Sequence, residues 1–599
     1  MNWDLTSYFP EFQGPEYKKF KENLSGGIKS LDEKSSVSDP LCGENLAFWK
    51  DVFLETESLI SEYSHIRSYV GCLSASDSNR EDYLREEAAI SLLGSDLEKL
   101  EVQLQRALRD ADEDLLSEFI SFPDIESASY YVRRVWRNSR FTMSAPKEIL
   151  ASELGVDGIS AWGRIYDTVS SKMTFEMVYP DGTKKKLPMS QRRSLMESPQ
   201  REIRKAAFSG GNAAWEGFQD VAAGAINAIS GTRHTLYRHR EIDHFLNVAL
   251  FDAAVSKQTL DSMMEAIRET VELPRSILRL KAETMGIRGV SWYDLGAPVD
   301  LGRTGRVDWN GAKSMVSDSF SAAYPRLGGF FDHVCRSEWV DWEVRDGKRP
   351  GGFCTGSLLT GESRIFMTYN AGVGDILTLA HEAGHAFHSH VMRDLRPYAQ
   401  FYPMTLAETA STFGEMLLAE GLLRDPSTSV EDKVLVRDTE VNHGAIYLLD
   451  IPVRYEFEKK LYERRAAGEL TVSELKELMT GTQKEIFGDV LLECDPFFWA
   501  SKLHFYITGV SFYNFPYTFG YLLSRALFEK FRRHGEEFIP VYEEFLRLTG
   551  SDDAEGAVKR SIGDDITSKD FWKDAILTLS RPLEELKELL PSVTAEEPR

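Results

Sequence analysis

The sequence predicts a mainly α-helical protein built as two lobes. Three observations carry this expectation: apolar residues recur at helical spacing through long Leu-, Ala-, Glu- and Arg-rich segments, β-type alternation is short and rare, and 599 residues are too many for one small core. From the N-terminus, polar stretches at 35–40 and 74–79 separate amphipathic patterns, and residues 81–111 predict long helices packed as a hairpin or bundle. A β-hairpin interrupts them near 173–187. Alternating residues from Met173 to Val178 lead into the turn Pro180-Asp181-Gly182 and a return strand whose Lys184, Lys185 and Lys186 form a solvated face. Ser198 before Pro199 marks a helix start, and the lobe boundary is placed there. Residues 1–197 then form an N-terminal helical lobe, and residues 198–599 form the lobe holding the motifs described below. Helical patterning runs on to 285, loosens over the Gly- and Trp-containing stretch 289–307, and returns at 454–485 and 522–548. The tail at 595–599 is expected to fray.

Composition narrows the class of protein. The formal charge of −24 disfavours nucleic acid and anionic membranes as partners. The first ten residues carry neither a basic n-region nor an apolar h-region, and no apolar run reaches membrane-spanning length, so a cytoplasmic protein is expected. Cys42, Cys72, Cys335, Cys354 and Cys494 are scattered and odd in number, which argues against a disulfide framework. Cys354 reads as a small buried residue.

Chemistry concentrates at His381-Glu382-Ala383-Gly384-His385, which fits the zinc-peptidase pattern HExxH. Residues four apart on a helix lie about 40° and about 6 Å from each other, so both imidazoles can reach one metal ion. Glu382 then stands beside the metal, where a carboxylate can deprotonate a zinc-bound water. A catalytic zinc needs a third protein ligand. The longer pattern HExxHxxGxxH fails, because His388 occupies its glycine position and Val391 its last histidine position. A glutamate from a second helix is the other solution. Residues 405–420 are strongly helical with Glu408, Ser411 and Glu415 along one side, and Pro397 and Pro403 return the chain between the two helices. Glu408 is therefore the third ligand expected here. Glu415, two turns on, either orients a ligating histidine or is an exposed carboxylate. His388 shares the face of His385 and is read as a supporting or packing residue, with a rival ligand role left open. His390 reads as a helix-end histidine.

Gly351-Gly352 and the alternating run from Arg364 to Tyr369 predict a turn and a strand of a small β-sheet beside the HExxH helix. Such an edge could pair with an extended peptide, which makes Gly351 and Gly352 candidate substrate contacts.

The block Gly351-Gly352-Phe353-Cys354-Thr355, the runs 365–370 and 375–390, and Leu406-Ala407-Glu408-Thr409-Ala410-Ser411 together resemble the catalytic core of the thimet oligopeptidase and oligoendopeptidase F family of zinc metallopeptidases. His504-Phe505-Tyr506, followed by 512–521, is similar to the His- and Tyr-rich substrate-binding stretch of the oligoendopeptidase F branch. The likeness runs from Trp3 to Phe571-Trp572. It implies one zinc ion on His381, His385 and Glu408, with Glu382 as general base. It also implies that His504, Tyr513 and Tyr517 lie over the substrate, with Tyr506 among the substrate-binding residues. The match is looser at Phe515 and Thr518, which leaves open which phenol holds the oxyanion. The resemblance further implies two helical lobes enclosing a deep channel that admits short peptides.

The expected function is hydrolysis of internal peptide bonds of short oligopeptides by a zinc-bound water that Glu382 activates, with a Tyr or His donor on the oxyanion. One alternative is a zinc carboxypeptidase of similar helical fold, which would need a group that grips a free carboxylate. Another is a non-catalytic peptide-binding protein, although a purely structural zinc has no need of Glu382.

Overall fold

The protein is described by a computed structural model covering residues 2–299, 301 and 306–594; the tail at 595–599 lies outside the described residues. Helices dominate, and β-structure is confined to small sheets of two or three strands. No helix among the described residues is long and apolar enough to cross a membrane. All five cysteines are free.

The chain divides into two compact units of three segments each. The first comprises Met1–Thr142, Gly305–Pro426 and Leu527–Asp564, and the second Met143–Thr304, Ser427–Ala526 and Asp565–Arg599. Residue 198, the boundary placed from sequence, lies inside the second unit. A helix start is a local signal, whereas membership of a core is decided by contacts between segments far apart in the chain.

In the first unit, Pro15–Ser36 buries Tyr17, Leu24, Ile28 and Leu31 as one stripe and packs against Leu46–Ser76 and Glu81–Leu108. Their shared core reaches Phe366 in a three-stranded sheet. There Ser363–Phe366 runs down the middle, parallel to Val340–Asp341 and antiparallel to Phe353–Gly356, so the last of these is an edge strand. The N-terminal residues are stitched onto this sheet. Arg364, 1% exposed, donates to Asp4 O at 2.9 Å, to Ser7 Oγ at 2.7 Å and to Glu362 Oε2 at 3.0 Å.

In the second unit the hairpin pairs Thr174–Val178 with Lys184–Pro188, and its three lysines are exposed. Gly182 takes φ 84° in the turn, a conformation that glycine adopts without strain. After the short helix Gln191–Met196 comes Arg201–Glu216, which starts two residues later than a helix opening at Pro199 would. Ser198 Oγ accepts from Gln200 N instead of capping the helix, and the carbonyls of Ser198 and Pro199 are taken by Arg204 Nη1 at 2.8 Å each. The pattern at 454–485 is two helices, Ile451–Arg465 and Val472–Phe487, the second restarted by a Thr471–Glu474 capping box. The pattern at 522–548 likewise resolves into Phe515–His534 and Ile539–Leu548, parted at Gly535 with φ 60°.

Two helices of the first unit position the functional motifs, Val373–Met392 and Met404–Arg424. Both are buried along most of their length, as continuously apolar helices are. They meet where both lack side chains. A Cβ on Gly384 would lie 2.3 Å from Ala410 O, and one on Gly414 would lie 2.7 Å from Ala380 O. The strands Phe353–Gly356 and Ser363–Phe366 pack against the first of these helices.

Two stability predictions follow from this packing. Gly384→Ala must push the helices apart and is expected to cost about 1–3 kcal/mol in urea denaturation; a wild-type midpoint would remove the steric argument. Arg364→Met removes the donor to Asp4 O and leaves the Glu362 carboxylate with Ser7 Oγ alone, and should cost about 1–3 kcal/mol by the same measurement, whereas a loss below about 0.5 kcal/mol would mean the N-terminal stitching contributes nothing.

Candidate active site

Val373–Met392 begins where the Asp375 carboxylate accepts from Asn370 N at 2.8 Å and Gly372 N at 3.1 Å, which fixes the chain's entry into the helix. Two turns on, His381 and His385 lie with ring centroids 4.9 Å apart. Glu408 enters from Met404–Arg424, its Oε2 3.4 Å from His381 Nε2 and 3.6 Å from His385 Nε2. The donor atoms of this trio all fall within 4.8 Å of one another. Two ligands about 2.0–2.1 Å from a tetrahedral ion sit about 3.3–3.4 Å apart, so the three atoms have the spacing of a metal site.

Supporting bonds fix two of the three donors, His381 and Glu408. His381 Nδ1 meets Glu415 Oε1 at 2.5 Å, which leaves Nε2 for the shared point. Ser411 Oγ donates to Glu408 Oε2 at 2.8 Å. Burial opposes charge on His381, but the bond to Glu415 and the charges of Glu415, Glu408 and Glu382 outweigh it and raise its pKa to about 9. Burial, together with His381, holds His385 in its neutral, ligating form.

Glu382 is 6% exposed, and its Oε2 has no hydrogen-bond partner. Burial pushes its pKa up to about 7, opposed by His381 and assisted by Glu408 and Glu415. A Cβ on Gly352 would lie 3.3 Å from Glu382 Oε1 and 3.4 Å from Phe366 O, so glycine is what lets the strand pass beside the carboxylate. Gly351 next to it takes φ 103°. A cavity of about 620 Å³ is lined by His381, Glu382, His385, Glu408, Gly352, Cys354 and the rest of the edge strand.

The other candidates fall in two places. His388 turns away from the trio. It is fully buried, with Nε2 near Thr549 Oγ1 at 2.9 Å and Leu546 O at 3.2 Å, and its ring is stacked on Tyr402 at 4.2 Å. Packing is therefore its role. In the second unit His504, Tyr513 and Tyr517 do cluster: the His504 ring lies 5.3 Å from Tyr513 and 5.9 Å from Tyr517, and the two phenol rings are 5.6 Å apart. Burial and the cations Lys502 and Arg454 push the His504 pKa down to about 4, so the ring is neutral at neutral pH. Buried Glu458 anchors the loop before Tyr513 by accepting from Phe512 N at 2.9 Å and from Asn514 Nδ2 at 2.7 Å. Tyr506, expected at the substrate, is a core residue. It is 1% exposed, stacked on Tyr166 at 3.6 Å, and its hydroxyl is spent on Trp499 O. An aromatic-rich stretch supplies core and site alike, and residue type alone does not separate them.

Sequence reasoning missed Gly384 and Gly414, whose only signal is a glycine inside each of two helices otherwise rich in helix formers. It also missed Glu458, a carboxylate in a charged helical run with nothing local to mark it.

Comparison with known proteins places the chain among peptidases. Residues 329–576 match Peptidase family M3, and residues 108–175 match the family described as Oligopeptidase F. Oligopeptidase PepF of Bacillus subtilis is 24% identical over 608 residues, covering 99% of this chain and 87% of the relative. The plasmid-encoded oligoendopeptidase F of Lactococcus lactis subsp. cremoris is 28% identical over 454 residues, 72% of this chain and 73% of the relative. Oligoendopeptidase-F from Enterococcus faecium shares the fold with a TM-score of 0.70 at 19% identity, covering 96% of this chain and 98% of that one. A Chlamydophila abortus chain assigned as a peptidase superposes with a TM-score of 0.82 at 19% identity, covering 98% of each chain. With the HExxH helix and its glutamate partner in place, this chain belongs to peptidase family M3, in the oligoendopeptidase F branch, and is a peptidase.

Proposed function

We propose that the protein is a zinc-dependent endopeptidase of short oligopeptides. The observation that carries this reading is the convergence of His381, His385 and Glu408 beside Glu382, whose Oε2 is buried without a partner. One zinc ion on those three residues would supply a Lewis acid that polarises the scissile carbonyl and lowers the pKa of a water toward about 7.

The chain's own groups do the rest. Glu415 and Ser411 hold His381 and Glu408 in their ligating orientations. Glu382 takes one proton from the attacking water as its oxygen bonds to the carbonyl carbon. It returns that proton to the amide nitrogen as the C–N bond breaks, and a raised pKa suits the carboxylate to both transfers. His504, Tyr513 and Tyr517 are the proposed donors to the substrate and the developing oxyanion, a phenol with pKa near about 10 staying protonated at neutral pH. The edge strand Phe353–Gly356 lines the same cavity as Glu382 and has a free side for pairing with an extended peptide. Internal cleavage is supported by the relatives named oligoendopeptidase F.

Two measurements test the reading. Peptides blocked at both ends should be cut internally, the cuts should vanish on chelation and return with zinc, and Glu382→Gln should lower kcat by about 10³-fold or more while retaining one zinc per chain by elemental analysis. Undiminished hydrolysis by Glu382→Gln would falsify the mechanism. Glu415→Gln should weaken zinc binding by about 10–100-fold in competition with a chromophoric chelator; unchanged affinity would reduce Glu415 to a bystander.

A further inference from the structure

The second unit holds a cavity of about 590 Å³ most of whose lining has no part in the proposed chemistry. His504 and Tyr517 line it together with apolar side chains such as Trp215, Trp292 and Phe498 and a set of charged ones. Four cations and three carboxylates face it: Arg192, Arg193, Arg454 and Lys502 against Glu197, Asp450 and Asp495. The arginines are matched one to one. Arg192 lies 3.8 Å from Asp495, Arg193 lies 3.2 Å from Glu197 at the rim, and Arg454 forms a two-point contact with Asp450. Lys502 is left over. Among the described residues its ammonium makes no ion pair or hydrogen bond, and it sits 5.8 Å from the centre of the Phe498 ring, over which Arg454 also lies at 5.5 Å. Burial and the neighbouring Arg454 and Arg193 depress its pKa to about 8, against the pull of Asp450.

A half-buried cation beside two guanidinium groups whose carboxylates are already engaged is electrostatically incomplete, and an anion in the cavity would relieve it. Its backbone position bears on which anion. Lys502 stands two residues before His504, between the short helix Phe498–Ser501 and the turn Leu503–Tyr506, so the ammonium and the imidazole face one cavity from one turn of chain.

We propose that Lys502, with Arg454 beside it, forms a carboxylate-binding subsite that holds an anionic group of the peptide substrate. The proposal rests on the reading of His504 and Tyr517 as substrate contacts. The carboxylate comes either from the peptide's free C-terminus or from an Asp or Glu side chain of the peptide.

The test uses zinc-loaded full-length enzyme and one parent peptide in four forms: free acid, C-terminal amide, and each of these with the peptide's single Asp changed to Asn. Wild type is expected to prefer the carboxylate-bearing member of one matched pair by about tenfold or more in kcat/KM, mainly through KM. In Lys502→Met that preference should collapse to near unity, and Lys502→Arg should keep it. A collapse in the acid/amide pair assigns the C-terminus, and one in the Asp/Asn pair assigns the side chain. Direct binding of the same peptides to Glu382→Gln enzyme, followed by fluorescence anisotropy, separates the subsite from turnover and shows that Lys502→Met in that background is still folded and competent. No preference in wild type, or a preference that survives Lys502→Met, overturns the subsite. Binding that depends on Lys502 without any hydrolysis by wild type would uphold the subsite and overturn the peptidase mechanism instead.

Discussion

The catalytic arrangement depends on how closely two buried helices approach. Gly384 and Gly414 remove the side chains that would hold Val373–Met392 and Met404–Arg424 apart, so one backbone rests almost directly on the other. Glu408 has a short reach, and a separation greater by one methyl group would take its carboxylate away from the histidines. The same contact sets register. Glu408 and Glu415 lie two turns apart on one face, so when one oxygen meets the histidine Nε2 atoms the other arrives at His381 Nδ1. Ligand and supporting bond are therefore settled by a single packing decision.

That decision brings an unusual charge load into a buried place. Glu382, Glu408 and Glu415 surround two imidazoles, and carboxylates in such surroundings are costly unless each is matched. Glu415 is matched by His381, and Glu408 is held by Ser411. Glu382 is answered by nothing at its Oε2. A divalent cation at the point where the three donors converge would balance the surplus negative charge. The donor types and the charge count thus point the same way as the spacing.

Legibility in the sequence followed locality. The HExxH spacing, Glu408, Ser411 and Glu415 obey helical periodicity, and once two helices are inferred their faces follow. The small sheet was readable from Gly351-Gly352 and the alternation after Arg364, although only the strand order makes Phe353–Gly356 an edge. The grouping of segments into units was not readable, since the segments of each unit are interleaved in sequence with those of the other. Tyr506 failed for a related reason. Its neighbours His504, Tyr513 and Tyr517 share its chemistry, and burial against Tyr166, more than three hundred residues away, is what sends it to the core. Ser198 shows the local version of this limit, because a long-reaching arginine claims the carbonyls at the turn and the helix begins after it.

The cavity of the second unit shows how backbone irregularity can shape a site without any recognisable motif. From Val430 to Arg465 the chain is helical throughout, but residues Ile446–Asp450 widen into a π turn directly before Pro452. Proline has no N–H to donate, and its ring collides with the carbonyl four residues back, so a wider turn is a low-cost way for the helix to continue. Ile446, Tyr447 and Asp450 within the wide turn all line the cavity, and Arg454, one turn on, reaches back to Asp450. The pairing of Arg454 with Asp450 has the ordinary i,i+4 spacing of a helix. It leaves the next cation along the wall, Lys502, without a carboxylate of its own.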